Sequence, residues 1–365
     1  MADLSNISVV LPSLDPDEKL TAVIDGLLEY GFSHIILVND GSKPENMHFF
    51  TDAAKSHPEV TLLNHEVNRG KGAALKTAFS WFLKNRPDGL GVVTVDGDNQ
   101  HHPADTRACC EHMLQTGRIT LGCRDFSLPQ VPARSRFGNR TTSLVFRLFC
   151  GIRISDTQTG LRSFPRDTLE FLCSVKGDRF EYETNMLLEM KTAGLPFDEV
   201  KIRTVYIEEN KSSHFNPLKD SWRIYKLILA HFFRYTLSSI ASSILDIGLF
   251  SLFTRLFSSN MTGLALDAAA TGLARLLSSL FNFFLNKKLV FRSGASTGTA
   301  MLRYYALAVP MMIAQALLTD GFTTLLHLKQ GSFLHTLVYA LVMTVLYFVS
   351  YSIQQRWVFA NKKTS

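Results

Sequence analysis

Asp96-Gly97-Asp98-Asn99-Gln100 follows an apolar run, Leu90–Val95, whose residues suit a β-strand. Two carboxylates spaced this way at a strand end can hold a hard divalent cation through oxygen. That cation can offset the charge that develops on a nucleotide diphosphate as it leaves. Acidic pairs in loops are common, so Asp96 and Asp98 gain meaning from what surrounds them. Asp40-Gly41-Ser42 ends an earlier apolar run, and Asn68-Arg69-Gly70-Lys71-Gly72-Ala73-Ala74 opens a helical pattern. The two glycines let backbone approach a ligand, and Lys71 can neutralise a phosphate beside a helix N-terminus. This segment is neither a Walker loop nor a complete GxGxxG, and taken alone it reads first as a plain helix entry.

The elements that must position these residues are legible as alternating runs. Strand-like segments at Ile7–Pro12, His34–Asp40, Val60–His65, Leu90–Asp96 and Ile119–Arg124 alternate with helical patterns near 16–30, 44–56, 71–85 and 103–116. The alternation predicts an α/β domain, a largely parallel sheet with helices on both faces, and a site at the carboxyl ends of the strands. Asn39 to Ser42, Asp96 to Gln100, and Arg124-Asp125 are the polar clusters at those ends.

After residue 232 the chain changes character. Apolar residues make up 46% of its 365 residues and concentrate in spans at 236–257, 262–286, 304–328 and 333–353, each long enough to cross a membrane. Lys287, Lys288, Arg292 and Arg303 lie between the second and third spans, and Arg356, Lys362 and Lys363 follow the fourth. The positive-inside rule then places the catalytic domain, both termini and the central loop in the cytosol, in an integral multi-pass membrane protein. The N-terminus shows neither a basic n-region nor an apolar h-region, so no cleavable signal is expected. Asp246 and Arg275 fall at matching depths of the first two spans and are expected to pair. Arg234-Tyr235 recurs as Arg303-Tyr304, and Asn286 to Phe291 recurs as Gln354 to Phe359 at nearly the same offset, which predicts two duplicated helical hairpins. Before the first span, Leu218, Trp222, Tyr225 and Leu229 recur at helical spacing opposite Lys219, Arg223 and Lys226. They read as an interfacial amphipathic helix or as a surface helix packed on its own domain. The domain boundaries are thus 1–215, 216–233 and 234–365.

The net charge of +6 accompanies no nucleic-acid recognition motif, and its basic residues thicken beside the spans, which favours anionic membrane lipids as partners over nucleic acid. The five cysteines show no CxxC spacing and are expected as buried, reduced thiols. His101-His102-Pro103 lacks further ligands at zinc spacing and reads as loop structure beside the acidic pair. Glu181 and Glu183 open a helical run, either facing the pocket or favouring the helix dipole.

In this order the motifs resemble the family 2 glycosyltransferases of GT-A fold, and among them the polyprenyl-phosphate glycosyltransferases related to dolichol-phosphate mannose synthase. The resemblance covers roughly 7–225, and the membrane half, all-α with four transmembrane helices, looks like a GtrA-like domain. It implies transfer of a sugar from a nucleotide-diphosphate sugar to a polyprenyl phosphate, undecaprenyl or dolichyl, with inversion at the anomeric carbon and with Mg²⁺ or Mn²⁺ as cofactor. Pro12 and Asp40 would line the nucleotide pocket with Lys71 nearby. Asp96 and Asp98 would be the metal acids, joined by Gln100. Arg124 would meet phosphate, and Arg136 and Arg203 would contact the lipid phosphate. Asp156, in Ser155-Asp156-Thr157-Gln158, would lie beside the reacting centre, orienting the acceptor or stabilising an oxocarbenium-like carbon. An acidic N-cap in a turn is the alternative reading of Asp156. The first loop reads Ser13-Leu14-Asp15-Pro16 where relatives often carry an aromatic residue and Asn-Glu. His214 stands where many carry lysine, as a pH-dependent phosphate contact or a structural histidine.

Two other functions compete. One is a polymer-extending membrane glycosyltransferase, against which stands the lack of a Gln-x-x-Arg-Trp element within the catalytic domain. The other is a sugar-lipid flippase component with a regulatory nucleotide-sugar-binding domain, which the intact Asp96, Asp98 and Gln100 disfavour. The sequence leaves homo-oligomerisation, the sugar and the nucleobase open.

Overall fold

The computed structural model describes residues 3–129, 131–204, 219–329 and 332–360. It divides into two units, 1–147 with 152–225, and 148–151 with 226–365. In the first, strands β1 (Ile7–Ser13), β2 (Ile35–Asp40), β3 (Val60–His65), β4 (Gly91–Thr94), β5 (Ile119–Arg124), β6 (Arg162–Pro165) and β7 (Phe197–Ile202) form one sheet in the order β3-β2-β1-β4-β6-β5-β7. The five expected strands are present and the β1–β4 block is parallel. The sheet is nevertheless mixed, because β6 runs antiparallel to both β4 and β5, pairing Thr94 with Arg162 and Thr120 with Ser163. β7 then closes the edge parallel to β5.

Helices α1 (Lys19–Glu29), α2 (Met47–Ser56), α3 (Lys71–Asn85), α4 (Pro103–Thr116), α5 (Ala133–Val145), α6 (Leu169–Ser174) and α7 (Glu181–Thr192) complete this unit. Their faces follow from spacing. α1 buries Leu20, Val23, Ile24 and Leu27, one stripe of a 3.6-residue period. α3 buries Ala73, Ala74 and Ala78 beside Phe79 and Phe82, so small residues bring its backbone close to its neighbours. A Cβ on Gly72 would collide with the Tyr182 side chain, which fixes how near α3 lies to α7. α4 starts cleanly because Pro103 needs no N–H donor there and His102 Nδ1 accepts from Ala104 N at 3.1 Å. All five cysteines are free thiols, four of them buried and Cys173 half-buried. Burial pushes the Cys110 and Cys123 thiols up to about 12, as inert core residues.

The second unit holds most of α8 (Lys219–Phe257), with α9 (Gly263–Leu285), α10 (Thr297–Leu325) and α11 (Phe333–Ile353). α8 runs without a break from the expected amphipathic segment into the first span. Residues 216–218 lie outside the described residues. Among the described residues four helices are long and apolar enough to cross a membrane: Phe232–Phe257, Gly263–Val290, Thr297–Leu325 and Phe333–Val358. The repeat has a structural counterpart. Each hairpin ends in one wide helical turn, Asn286–Val290 and Gln354–Val358, closed by Phe291 N to Asn286 O and by Phe359 N to Gln354 O, both 2.8 Å. Asn286 Nδ2 donates to Gln354 Oε1 at 3.2 Å, and the Phe291 and Phe359 rings stack at 5.1 Å. The expected pair forms: Arg275 Nε is 3.4 Å from Asp246 Oδ2, and Ser278 Oγ donates to Asp246 Oδ1 at 2.8 Å.

Removing one partner leaves a charge without compensation in a low-dielectric surrounding. Asp246→Ala is therefore expected to lower the thermal midpoint in detergent more than the paired Asp246→Asn/Arg275→Gln change, and equal losses would show that the two groups act independently. In the first unit, His34 Nδ1 is 2.9 Å from Ser8 Oγ and its ring stacks on Trp81. Burial, then the Arg86 charge, pulls its pKa from 6.5 down to about 4. The fold thus favours the neutral ring, and the stability this confers is whole above the unfolded value and lost as pH falls from 6.5 towards about 4. Urea midpoints measured across that window are expected to fall more steeply for the parent chain than for His34→Gln.

Candidate functional site

The carboxyl ends of β1, β2 and β4 surround a cleft of about 330 Å³. Pro12, Asp40, Lys71, Asp96 and Asp98, all expected from the sequence, line it. At its centre the half-buried Lys71 Nζ lies 2.8 Å from Asp96 Oδ1 and 3.0 Å from Glu183 Oε1. Three elements meet there: the loop after β4, the first residue of α3 and the first turn of α7. Glu183 therefore meets the cleft through Lys71 and is not itself part of the lining. Burial disfavours the Lys71 charge, yet the two carboxylates hold it protonated, above the ordinary lysine value. Burial likewise opposes ionisation of Asp96, but Lys71 and the His101 ring, 3.6 Å from Oδ2, more than offset it and keep the carboxyl well below the usual range. Asp98 shifts the other way. Burial and then the Asp96 charge raise its pKa, opposed by the Gln100 N–H that reaches Oδ1 at 3.1 Å.

This acidic pair can accept a cation. Among the described residues no group of three or more His, Cys, Asp or Glu side chains could hold a metal. A metal here would rest on Asp96 and Asp98 and complete its shell with ligand oxygens and water, which suits a hard ion that binds through one or two carboxylates plus phosphate. Burial and then the Asp96 charge raise the Asp98 pKa, and a divalent ion on the pair would lower it. Ser13 Oγ is buried without a partner among the described residues and lines the same cleft.

The surrounding loops are tied by Asp40. Its Oδ1 takes His65 Nδ1 at 2.7 Å and Arg69 N at 2.9 Å, and its Oδ2 takes Gly70 N at 2.7 Å. Asp40 thereby holds the entry of α3 and of Lys71. Gly70 has φ +102°, and a Cβ there would run into Asp178 O, so the loop needs glycine on both counts. Asp15, in the departing first loop, accepts from Lys43 N and Asn46 Nδ2 and joins that loop to the one after β2. The sequence pattern gave no signal for Arg179 and Phe180, which line the cleft from the turn before α7.

The other expected residues lie outside the cleft lining. Asp156 is fully buried, and Arg124 spans its carboxylate from Nε at 2.7 Å and Nη2 at 3.2 Å, while Gln158 N donates to Oδ1. The pair secures the loop after β5. Arg136 Nη2 donates to Leu128 O at 2.9 Å, and its Nε is buried without a partner. Arg203 is half exposed, its backbone N donating to Asp105 Oδ2 at 3.0 Å. His214 lies outside the described residues. Two contributors were hidden in plain motifs. A Cβ on Gly160 would overlap the Asp96 carboxylate, and the fully buried Arg162 donates from Nη1 to Glu183 O at 3.1 Å.

Residues 8–169 match Glycosyl transferase family 2, and residues 234–359 match the GtrA/DPMS transmembrane domain. The chain is a family 2 glycosyltransferase fused to a GtrA/DPMS transmembrane domain. An uncharacterized protein of Methanocaldococcus jannaschii is 29% identical over 62% of this glycosyltransferase and 93% of its own length. The UDP-N-acetylglucosamine–dolichyl-phosphate N-acetylglucosaminyltransferase of Methanococcus voltae is 24% identical over 61% of this chain and 95% of its own. The polyprenol monophosphomannose synthase of Mycolicibacterium smegmatis is 25% identical over 44% and 62%. Among solved structures, a Pyrobaculum calidifontis mannosyltransferase in complex with GDP-Man and Mn²⁺ covers 96% of this chain and 87% of its own, at 16% identity and a TM-score of 0.41.

Gly160 offers a direct test of the site in this glycosyltransferase. Gly160→Ala must displace Asp96 from Lys71, and Mn²⁺-dependent binding of a nucleoside diphosphate, read by calorimetry, is expected to weaken by about 10-fold or more, roughly 1.4 kcal/mol. Unchanged affinity would mean that Asp96 takes no part in holding it.

Proposed function

We propose that this glycosyltransferase moves a sugar from a nucleotide-diphosphate sugar to a polyprenyl phosphate at the cytosolic membrane face. The observation that carries the reading is the Asp96–Asp98 pair beside Lys71 in a cleft of a chain that also has four membrane-length helices. Relatives named for dolichyl-phosphate and polyprenol transfer support the acceptor class.

Asp96 and Asp98 would hold Mg²⁺ or Mn²⁺, with Gln100 completing the loop, and the ion when bound neutralises the charge growing on the leaving diphosphate. Lys71 adds a fixed ammonium on one side of that diphosphate. Arg179 adds a guanidinium with no ion pair among the described residues, and Ser13 Oγ offers a hydrogen bond from the β1 end. Pro12 and Asp40 shape the wall against which the nucleoside lies, Asp40 by keeping the Arg69 and Gly70 N–H groups in place. An acceptor phosphate is already ionised near neutral pH, so attack at the anomeric carbon needs orientation and charge more than a base. Asp156 serves by holding Arg124 bidentately, and Arg124 then presents its charge at the end of β5. Arg136, Arg203 and His214 are the candidates for the lipid phosphate. Inversion follows from a single in-line displacement. The basic loops beside the spans support a catalytic domain and both termini on the cytosolic side.

Purified chain incubated with a panel of nucleotide sugars, undecaprenyl or dolichyl phosphate and Mg²⁺ or Mn²⁺ is expected to give a sugar-phosphoryl lipid identifiable by mass. Asp98→Asn is expected to lower turnover by about 100-fold or more with an unchanged circular dichroism spectrum. Turnover retained in that variant would remove the metal assignment, and water-soluble glycosides in place of lipid products would remove the acceptor class.

A further inference from the structure

Lys71 and a divalent cation compete for the same carboxylate. The Lys71 ammonium rests on Asp96 Oδ1 at 2.8 Å. Oδ2 is closed in by the His101 ring, 3.6 Å away, and by Gly160, where a Cβ would overlap it. A cation shared by Asp96 and Asp98 must therefore take Oδ1 from the ammonium or sit against it, and two cations on one oxygen of a half-buried group repel each other.

A second place for the ammonium is already built. Glu183 Oε1 is 3.0 Å from the same Nζ, and the Glu183 carboxylate has no other ion pair among the described residues. Glu183 does not line the cleft, and among the described residues no group of three or more His, Cys, Asp or Glu could hold a metal, so its role is not that of a third metal acid. Its one charged neighbour is Lys71. The backbone of Glu183 is fixed, because its carbonyl accepts from the fully buried Arg162 Nη1 at 3.1 Å while Arg162 Nε donates to Thr159 O at 2.9 Å. The start of α3 is fixed as well, by Gly70 N on Asp40 Oδ2 and by Ala73 N on Asp178 O at 2.9 Å. What can move between the two carboxylates is the lysine side chain, a compact charge on a four-carbon stem with rotatable donors.

We infer that Glu183 is a positioning residue: it holds the Lys71 ammonium when a divalent cation takes Asp96 Oδ1, so that the Lys71–Asp96 pair is exchanged for the metal and does not block it. This rests on the assignment of Asp96 and Asp98 as the metal acids. Charge balances in the exchange, since the ammonium stays protonated and passes from two carboxylates to one while the ion takes over Asp96. Lys71 remains at the cleft wall, where a diphosphate arriving with the ion meets it. Without Glu183, Asp96 is the ammonium's only carboxylate, and the metal must break that pair outright.

The test reads binding of Mn²⁺ alone to full-length chain in detergent, from the electron paramagnetic resonance signal of the free ion. Glu183→Gln is expected to weaken Mn²⁺ binding by about five-fold and Lys71→Met to tighten it by about five-fold. Those signs would also follow from simple loss of a charge near the ion, and two further chains separate the cases. Glu183→Asp keeps the charge but withdraws it from Lys71, and is expected to weaken Mn²⁺ about as much as Glu183→Gln does. In a Lys71→Met chain, Glu183→Gln is expected to have no effect on Mn²⁺, because the side chain through which it acts is gone. Parent-like binding by Glu183→Asp, or the same loss on adding Glu183→Gln to Lys71→Met, would overturn the inference. Circular dichroism checks the fold of each chain, with Lys71→Gln as the alternative at that position. Asp98→Asn separates this result from the metal assignment: Mn²⁺ binding that survives Asp98→Asn removes the assignment and the inference with it, whereas binding lost in Asp98→Asn but indifferent to Glu183 removes the inference alone.

Discussion

The half-buried ammonium of Lys71, shared between Asp96 and Glu183, is the interaction on which the catalytic unit depends. An ion taken out of water costs several kcal/mol unless its partners are close and well placed. That requirement constrains three separate elements at once. The β4 strand must end where Asp96 can turn inward, α3 must begin with Lys71 as its first residue, and α7 must open with Glu183 on the facing side. The glycines make this approach possible. Gly70 and Gly72 allow α3 to sit against the 178–182 segment, and Gly160 leaves room for the Asp96 carboxylate. Asp96 is thereby held ionised, whereas burial, and then the Asp96 charge, raises the pKa of Asp98 beside it.

A second tier of buried charge supports the first. Arg162 is fully buried and donates to the Thr159 and Glu183 carbonyls and the Met186 sulfur. It links the loop carrying Gly160 to the helix carrying Glu183, so the strand that runs against the direction of its neighbours delivers an arginine to the back of the site. Asp156 and Arg124 do the same for the end of β5, with two bonds that fix the guanidinium plane. These groups explain why the site tolerates an antiparallel strand in an otherwise parallel sheet: β6 is short, and its role is to place Arg162 between β4 and β5.

The residues legible in the sequence were those whose local pattern and chemistry coincide. Asp96, Asp98 and Lys71 each sit at the junction of an apolar run and a turn, and the structure gathers them in one cleft. The first five strands and four helices were equally readable, because their apolar periods extend over enough residues. β6 was not, since Arg162-Ser-Phe-Pro is four residues long and carries a charge that is buried only through tertiary contacts. β7, Phe-Asp-Glu-Val-Lys-Ile, mixes charged and apolar residues as an edge strand does, but its pattern is too short and irregular to separate from a loop. Glu183 and Arg179 lie more than a hundred residues from Lys71 and share no motif with it. Only the folding of α7 against α3 makes Glu183 a partner, which is why its sequence context left both a pocket role and a dipole role open.

The membrane unit obeys a different rule, because apolar side chains gain little by leaving lipid for one another. Specific contacts there must come from hydrogen bonds and aromatic packing, and the repeated hairpin endings supply both. Asn286 and Gln354 occupy equivalent places, bond to each other, and each caps a wide turn whose closing bond has the same length as its counterpart. Ser238 donates to the Asn286 amide oxygen, and Tyr235 receives a bond from Gln354, so the start of the first hairpin is tied to the ends of both. The Asn286 amide donates to the Asn282 and Gln354 side chains and the Gln354 amide to the Tyr235 and Ser350 hydroxyls, so both buried amides are satisfied by side chains and, because they meet, the register of one hairpin depends on the other. The duplicated ending is thus a structural requirement of joining two hairpins in a solvent that offers no hydrogen bonds of its own.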